Sequence, residues 1–232
     1  MKGLKSIAIT LCTALVVSCG MSNQGKGALI GAGGGAGLGA IIGAIAGNTA
    51  VGAVIGGAVG AGAGAIIGKK MDKAKKEAEA VQNAQVEAVT DANGLEAVKV
   101  TFDSGILFAT GSSTLSSTAM TSLFQFANVL KNNADCDVAV QGYTDNAGWK
   151  NSTAAQSQQK NLELSQQRAQ SVTNYLLSQG VSPAQIRSTM GFGEANPVAD
   201  NATAAGKAQN RRVEVYMYAS QKMIQEAQSQ AQ

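Results

Sequence analysis

The C-terminal part of this 232-residue sequence predicts an α+β fold, an α/β sandwich in which helices pack against one sheet. Segments in which apolar and polar residues alternate, as in half-buried strands, take turns with segments of helical periodicity. Most aromatic residues lie after position 100, where a packed core can use them, whereas many of the 28 glycines lie before position 69. We therefore expect the hydrophobic core in the C-terminal half.

The helices and strands of this part can be distinguished by their periodicity and by residues that end them. Val98, Val100 and Phe102 alternate with polar neighbours as a half-buried strand does, and apolar residues of the next segment recur at helical spacing. Gly180 is a plausible helix stop. The predicted strands are about 98–102, 137–142, 186–192 and 213–218, the helices are about 120–130 and 162–178, and residues 219–232 form a polar tail that frays or makes a short helix.

The first 18 residues have the three parts of a signal peptide: a basic start at Lys2 and Lys5, an apolar run from 7 to 17, and the small residue Ser18. The segment Leu15-Val16-Val17-Ser18-Cys19 resembles a bacterial lipobox, which implies that Cys19 is acylated and that residues 19–26 form a lipidated N-terminus. An ordinary cleavage site and a short transmembrane helix are the alternatives. The apolar run is shorter than the ~20 residues that a span needs, which favours the lipobox.

Charge and composition exclude several function classes. The formal charge of +3 falls to +1 without Lys2 and Lys5, so no nucleic-acid partner is implied. Histidine is absent and the cysteines at 12, 19 and 136 lack metal-ligand spacing, so we expect no metal and no cofactor beyond the covalent lipid on Cys19. We expect Cys136 to be a small buried apolar residue.

Residues 27–68 contain no charged residue, and their glycines recur every fourth position in two series. On a helix this spacing stacks the glycines into one groove, which predicts a helical hairpin with its turn at Asn48 and Thr49. The segment resembles the glycine zippers of bacterial envelope proteins, and a homo-oligomer through it is possible. A flexible linker is the alternative. Whether such a hairpin inserts into lipid or packs in water stays open. Residues 69–94 read as a charged helical spacer ending near Asn93-Gly94.

Five motifs of the C-terminal part carry a family resemblance: Phe102-Asp103-Ser104, Gly142-Tyr143-Thr144-Asp145, the run NLELSQQRAQSV from Asn161 to Val172, Gly191-Phe192-Gly193-Glu194 and Asn210-Arg211-Arg212-Val213-Glu214. Together they make residues 95–218 resemble an OmpA-like domain. The resemblance implies a βαβαββ fold with one mixed sheet. It also implies noncovalent binding of the diaminopimelate in peptidoglycan stem peptides.

Diaminopimelate presents an ammonium and a carboxylate on one carbon, so its recognition needs a carboxylate and a guanidinium at short range. By similarity Asp145 takes the ammonium and Arg168 binds the carboxylate through two hydrogen bonds. Thr144 is expected to shape the strand end, and Leu164 to form an apolar wall. We expect Asn161 to cap the helix that carries Arg168, leaving first-turn amides near the anionic group.

Two interpretations remain for Arg212, for the stretch 149–160 and for Trp149. Asp103 and Arg212 match family positions around the pocket, but Arg212 beside Glu214 is equally typical of a surface ion pair. The stretch 149–160 is longer than the connection that the family usually has at this place. It either loops out and leaves the pocket intact or folds over the pocket. Trp149 within this stretch either packs onto its own domain, the favoured interpretation, or stacks on a sugar ring.

These expectations combine into a non-enzymatic envelope lipoprotein, with lipid at one end and peptidoglycan at the other. Gly20 after the modified cysteine, together with the resemblance, favours the outer membrane, with the C-terminal domain in the periplasm. No acid and base pair at a catalytic motif. The alternative is a membrane-inserting oligomer or pore made by the glycine hairpin, in which the C-terminal domain only localises the protein.

Overall fold

The computed structural model describes residues 59–91 and 94–232. The predicted signal peptide, the lipidated segment with Cys19 and most of the glycine hairpin lie outside these residues. The helices are α1 Ala61–Ala78, α2 Ser104–Leu107, α3 Ser117–Asn132, α4 Ala154–Ser178, α5 Ala204–Asn210 and α6 Gln221–Gln230. The strands are β1 Ala84–Thr90, β2 Glu96–Asp103, β3 Cys136–Gly142, β4 Ile186–Gly191 and β5 Arg212–Ala219.

The described strands form one mixed sheet in the order β1-β2-β5-β3-β4. β5 lies antiparallel between β2 and β3, and β3 pairs in parallel with β4 across α4, as a βαβ crossover requires. The α+β class and the mixed sheet predicted from the sequence are confirmed. The four predicted strands are β2 to β5, and their observed bounds differ from the predicted ones by two residues or less.

The core lies between one face of the sheet and the long helices. The alternation in β2 places Val98, Val100 and Phe102 on this face, and Val213 and Val215 of β5 follow the same rule. Phe102 packs edge-to-face on Phe126 of α3, with ring centroids 5.6 Å apart. The other face carries a smaller cluster that contains Ala97, Ala139, Tyr216 and Tyr218.

Helix α4 lies directly on β3 and β4 because two glycines face it. A Cβ atom on Gly142 would overlap the carbonyl oxygen of Ser165, and one on Gly191 would overlap the backbone of Gln166. These two glycines are also partners in the β3–β4 pairing. Because these glycines have no side chain, α4 lies close to the sheet, and this backbone contact sets the position of Arg168 near the middle of the helix.

The predicted helical spacer 69–94 is wrong in its second half. α1 ends at Ala78, and Asn83 with a φ of 59° makes the turn into strand β1. β1 pairs with β2 along its whole length, and Lys99 Nζ lies 2.8 Å from Glu87 Oε2 across the pair. Alanine and glutamate favour a helix locally, but pairing with a preformed edge overrides this preference.

The predicted hairpin 27–68 also loses its last turns to the folded domain. α1 begins at Ala61, and its apolar stripe is buried in the main core, with Ile67 and Met71 almost completely covered. Residues 61–68 therefore belong to a helix that packs into the main core of this domain. Residues 27–58 lie outside the described part. Among the described helices none is both long enough and apolar enough to cross a membrane.

The predicted polar tail 219–232 is instead part of the fold. Ala219 completes β5, Ser220 caps α6, and Met223, Ile224 and Ala227 of α6 are buried against α1. The packing of this helix is not evident from the sequence, because only three of its residues are buried. The domain thus extends on both sides of the predicted 95–218.

Candidate ligand-binding cavity

A cavity of about 710 Å³ opens at the edge of the sheet where β3 ends. Its walls come from α2 and the following loop, from the loop after β3, from α4 and from the end of α5. Five of the residues singled out from the sequence line it: Thr144, Asp145, Asn161, Leu164 and Arg168. The structure therefore brings these five together, whereas their roles toward a ligand stay predictions.

Arg168 is buried to 3% exposure on the face of α4 that meets this cavity. Its Nε donates to the carbonyl oxygen of Ser112 at 3.0 Å, and its guanidinium lies 5.2 Å from the ring centre of Phe108. Burial and the positive charge of Arg211 lower the pKa of Arg168, and Asp145 partly opposes them. Arg168 makes no ion pair with any residue in the described ranges.

Asp145 follows β3 directly and is 7% exposed. Its Oδ1 accepts from the amide of Ala147 at 3.0 Å, and its Oδ2 accepts from Nη1 of Arg211 at 2.6 Å. A carboxylate can accept about four hydrogen bonds, so these two leave capacity for a ligand. Asp145 is held in place and paired, but with Arg211 and not with Arg168.

Thr144 and Leu164 supply one polar and one apolar group to the wall. The amide of Thr144 donates to the carbonyl oxygen of Gly193, but its hydroxyl is buried without a partner in the described structure. A buried hydroxyl without a partner is unfavourable by about 1–3 kcal/mol, so this group favours a hydrogen-bonding ligand. Leu164 is 9% exposed and forms the expected apolar surface.

The prediction that Asn161 caps a helix is wrong. α4 begins at Ala154, and Thr153 with Gln156 forms its capping box. Asn161 lies two turns further on, where its Nδ2 donates to the carbonyl oxygen of Ala147 at 3.2 Å. Asn161 therefore fixes the loop that carries Asp145, and the helix start with its first-turn amides lies at Thr153 instead.

The long connection 149–160 is only partly a loop. Residues 154–160 form the first two turns of α4, stabilised by the capping box, so the stretch folds beside the cavity. Trp149 is half-buried, and its indole N–H donates to Oδ1 of Asn161 at 2.7 Å. Trp149 thus packs on its own domain, as the favoured interpretation states, and it lines the cavity as well.

Asp103 and Arg212 line a different cavity, of about 440 Å³, on the open face of the sheet. Asp103 caps α2 through the amide of Gly105. Arg212 is buried, with its Nε 2.7 Å from Oε1 of Glu214 and its guanidinium 3.9 Å from the ring centre of Tyr143. The ion pair anticipated for Arg212 exists, but it is buried, because the segment after β4 covers it through the carbonyl of Asn196.

Arg211 is a charged cavity residue that the sequence did not single out, and Lys207 is another. Arg211 lines both cavities and forms the ion pair with Asp145. Arg211 stands beside Arg212 in the same motif. Which of the two side chains points into the cavity cannot be decided until the first residue of β5 is known. Alternation from Val213 and Val215, which face the core, places Arg212 on the open face of the sheet but leaves the direction of Arg211, which precedes β5, undecided.

The cavity is rich in positive charge. Its walls contain one carboxylate, that of Asp145, against the cations Lys150, Arg168, Lys207 and Arg211. Apolar and aromatic surface from Phe108, Trp149 and Leu164 surrounds them, so that charges of a ligand would be partly shielded from water. Within residues 59–91 and 94–232 no group of acidic or cysteine side chains could hold a metal ion.

Two family models match the chain. Residues 107–211 match the OmpA family, and residues 1–72 match the YMGG-like Gly-zipper. The protein of Escherichia coli named "Probable lipoprotein YiaD" is 47% identical over 116 residues, 50% of this chain and 46% of that protein. The peptidoglycan-binding protein ArfA of Mycobacterium tuberculosis is 44% identical over 93 residues, 40% of this chain and 26% of that protein. The chain spans less than half the length of these two relatives.

Two solved structures share the fold. The cell wall anchor of the T6SS from Pseudomonas aeruginosa aligns with a TM-score of 0.51 at 28% identity, covering 65% of this chain and 97% of that chain. The periplasmic domain of Helicobacter pylori MotB aligns with a TM-score of 0.52 at 20% identity, covering 65% and 88%, which shows the fold alone. The C-terminal part of the chain is therefore OmpA-like in fold and in the sequence of residues 107–211, and residues 1–72 match the YMGG-like Gly-zipper model.

Proposed function

We propose that the C-terminal domain binds peptidoglycan noncovalently, by taking a ligand group that carries an ammonium and a carboxylate on one carbon. The single observation that carries this proposal is Arg168, a guanidinium buried to 3% exposure without an acidic partner in the described structure. A buried charge without a partner is strongly unfavourable, so a site that keeps one favours an anion from outside.

The neighbours of Arg168 suit the rest of such a group. Because Nε is bound to Ser112, the guanidinium is oriented, and its terminal nitrogens are available for a carboxylate. Asp145 retains capacity to accept from an ammonium, and the hydroxyl of Thr144 is buried beside it without a partner. Diaminopimelate in a stem peptide is the ligand that we assign to this arrangement.

The relatives support peptidoglycan as the partner. ArfA is named a peptidoglycan-binding protein, and the Pseudomonas aeruginosa structure is a cell wall anchor. With acylation of Cys19, the domain would tether a membrane to the wall. We assign that membrane to the outer membrane, because Gly20 follows the cysteine and because the C-terminal part resembles OmpA-like domains. We propose a binder that performs no chemistry on its ligand.

The test is cosedimentation of the full chain with purified peptidoglycan, for the wild type and for Asp145→Asn and Arg168→Gln. Both changes remove the charge and keep a polar side chain, with the same shape for asparagine and a shorter one for glutamine, so we expect each to lower the bound fraction at least about tenfold. Arg187→Gln is the matched control, because Arg187 is half exposed and lies outside the cavity.

Circular dichroism would verify that all variants are folded. Normal cosedimentation of both cavity variants would refute the proposed site. Muropeptides with diaminopimelate or lysine at the third stem position then test the ligand itself. Lysine has no carboxylate beside its side-chain ammonium, so we expect it to bind weakly.

The glycine segment as an inserting oligomer is the second candidate, and it rests on the periodicity before residue 59. Alkaline carbonate extraction of Cys19→Ala separates the two functions: retention in the membrane supports insertion, and release supports anchoring by lipid alone. The docking of residues 61–68 in α1 favours release, because only nine residues of the second glycine series, 52–60, remain before that helix. A helix of nine residues rises about 13 Å, less than half of a bilayer core.

A further inference from the structure

Lys207 and Arg211 stand one helical turn apart at the end of α5, on one wall of the cavity. The amide of Arg211 donates to the carbonyl oxygen of Lys207 at 3.1 Å, which makes them neighbours on the same side. Two cations at this spacing repel each other. Their ammonium and guanidinium groups therefore form a place where an anion would be stabilised.

The charges of the cavity do not match the group proposed for Asp145 and Arg168. Arg211 already neutralises Asp145 in this structure, with Nη1 and Oδ2 at 2.6 Å. Lys150, Arg168 and Lys207 have no ion-pair partner in the part of the chain that the structure describes. An ammonium and a carboxylate together carry no net charge, so binding them leaves this positive excess unmatched.

The size of the cavity also indicates that the ligand has more than one bound group. A volume of about 710 Å³ lies within the range of sites that bury a whole drug-sized ligand, and it exceeds what the end of one amino acid needs. Arg211 has further N–H groups besides the one that binds Asp145, and Lys207 has three. The wall formed by α5 can therefore bind a second group of the ligand.

We infer that Lys207 and Arg211 bind a second carboxylate of the stem peptide, so that the cavity selects peptides in which this carboxylate is free over those in which it is amidated. The inference rests on the proposed function and names the ligand class more closely. The carboxylate is the α-carboxylate of the γ-linked D-glutamate that precedes diaminopimelate. Amidation removes its charge and leaves the length of the peptide unchanged.

The experiment is isothermal titration calorimetry of the full chain with two synthetic tripeptides, L-Ala-γ-D-Glu-diaminopimelate and the same peptide with the glutamate α-carboxylate as a primary amide. We expect the free acid to bind about three- to tenfold more tightly at low salt, the size of one or two partly exposed ion pairs. The preference should decrease as salt is added.

Lys207→Gln is the decisive variant, because Lys207 makes no ion pair that the substitution would break in the described structure. We expect it to keep binding of the amidated peptide and to bring the ratio of the two dissociation constants close to one. Lys222→Gln, on exposed α6, should leave the ratio unchanged. Lys150→Gln removes a cation from the loop wall of the same cavity, and we expect it to change the ratio less than Lys207→Gln does, whatever its effect on the overall affinity.

An unchanged ratio in Lys207→Gln would overturn the inference, as would a ratio that falls to one only in Lys150→Gln. Equal affinity of the wild type for the two peptides would also overturn it, and would leave the proposed function standing. If the wild type bound neither peptide, the proposed function itself would fail.

Discussion

Arg168 and Arg212 are two arginines of the same domain with nearly the same exposure, 3% and 4%, and opposite surroundings. Arg212 has Glu214 at 2.7 Å, the carbonyl oxygens of Asn210 and Asn196, and the ring of Tyr143. Arg168 has one carbonyl oxygen and one aromatic ring. Burial alone therefore does not distinguish a structural arginine from a binding one.

The difference lies in which groups remain without partners. Each of the three guanidinium nitrogens of Arg212 donates to an acceptor of the chain, so this side chain stabilises the open face of the sheet. The terminal nitrogens of Arg168 face a cavity instead. The comparison predicts that loss of Arg212 affects stability and that loss of Arg168 affects binding.

The largest expected effect on stability comes from Arg212→Met. It leaves Glu214 buried and without its partner, and breaking a buried pair from one side costs about 3–5 kcal/mol. Urea unfolding followed by circular dichroism measures this loss. The double variant Arg212→Met with Glu214→Gln should recover part of it, and no recovery would mean that the pair is not the cause.

Gly191→Ala should have the next largest effect. The added methyl group overlaps the backbone of Gln166, so α4 must move away from the sheet, with an expected loss of about 1–3 kcal/mol. Because α4 carries Arg168, peptidoglycan binding should weaken together with stability. Gly64→Ala is the matched control: its methyl group meets nothing within 4 Å, and alanine favours a helix more than glycine does. Equal melting temperatures for the two variants would contradict this account of α4.

Arg168→Met should change the free energy of unfolding by less than about 1 kcal/mol. The substitution removes one hydrogen bond to Ser112, a loss of about 1 kcal/mol, but also removes a buried charge without an acidic partner, and the two effects oppose each other. Urea unfolding beside Arg212→Met gives the direct contrast. A loss as large as that of Arg212→Met would show that Arg168 is structural too.

The smallest effect concerns Asp137, a half-buried acid of β3. Burial raises the pKa of Asp137 above its ordinary value, and Arg187 partly opposes this. Because the folded pKa lies above the unfolded one, this carboxyl favours the folded state at acid pH, and that contribution is lost as pH rises through the folded pKa. Asp137→Asn should therefore have a higher melting temperature than the wild type at pH 7 and lose this advantage toward pH 3. A constant difference across this range would contradict the titration.

The site could be predicted only in part. Thr144, Asp145, Leu164 and Arg168 were predicted to share one site because their motifs resemble those of OmpA-like domains, and all four line the cavity. Arg211 was missed, because its neighbour Arg212 has the same chemistry and only the start of β5 decides which of the two faces the cavity. Asn161 was assigned a cap because its residue type favours caps, whereas the capping box lies at Thr153.

The fold shows the same division. β2 to β5 and α3 were predictable, since each has its own periodicity and ends at a turn residue. β1 was not, because its residues favour a helix and its strand form depends on pairing with β2. A short helix was one of the two expected states of the tail, but the packing of α6 was not predictable, because its three buried residues find a partner surface only once α1 lies beside them.

The sequence by itself determined the α+β class, the OmpA-like motifs, the presence of Asp145 and Arg168 in one cavity and the buried state of Cys136, whose pKa burial raises to about 12. The class and the burial follow from local periodicity and residue chemistry, and the shared cavity follows from the resemblance of the motifs. Only the tertiary structure decided that Arg211 neutralises Asp145 and that Arg168 has no acidic partner in the described part of the chain. Ion pairing depends on distances between groups far apart in the chain, and these distances exist only after the sheet and helices have packed.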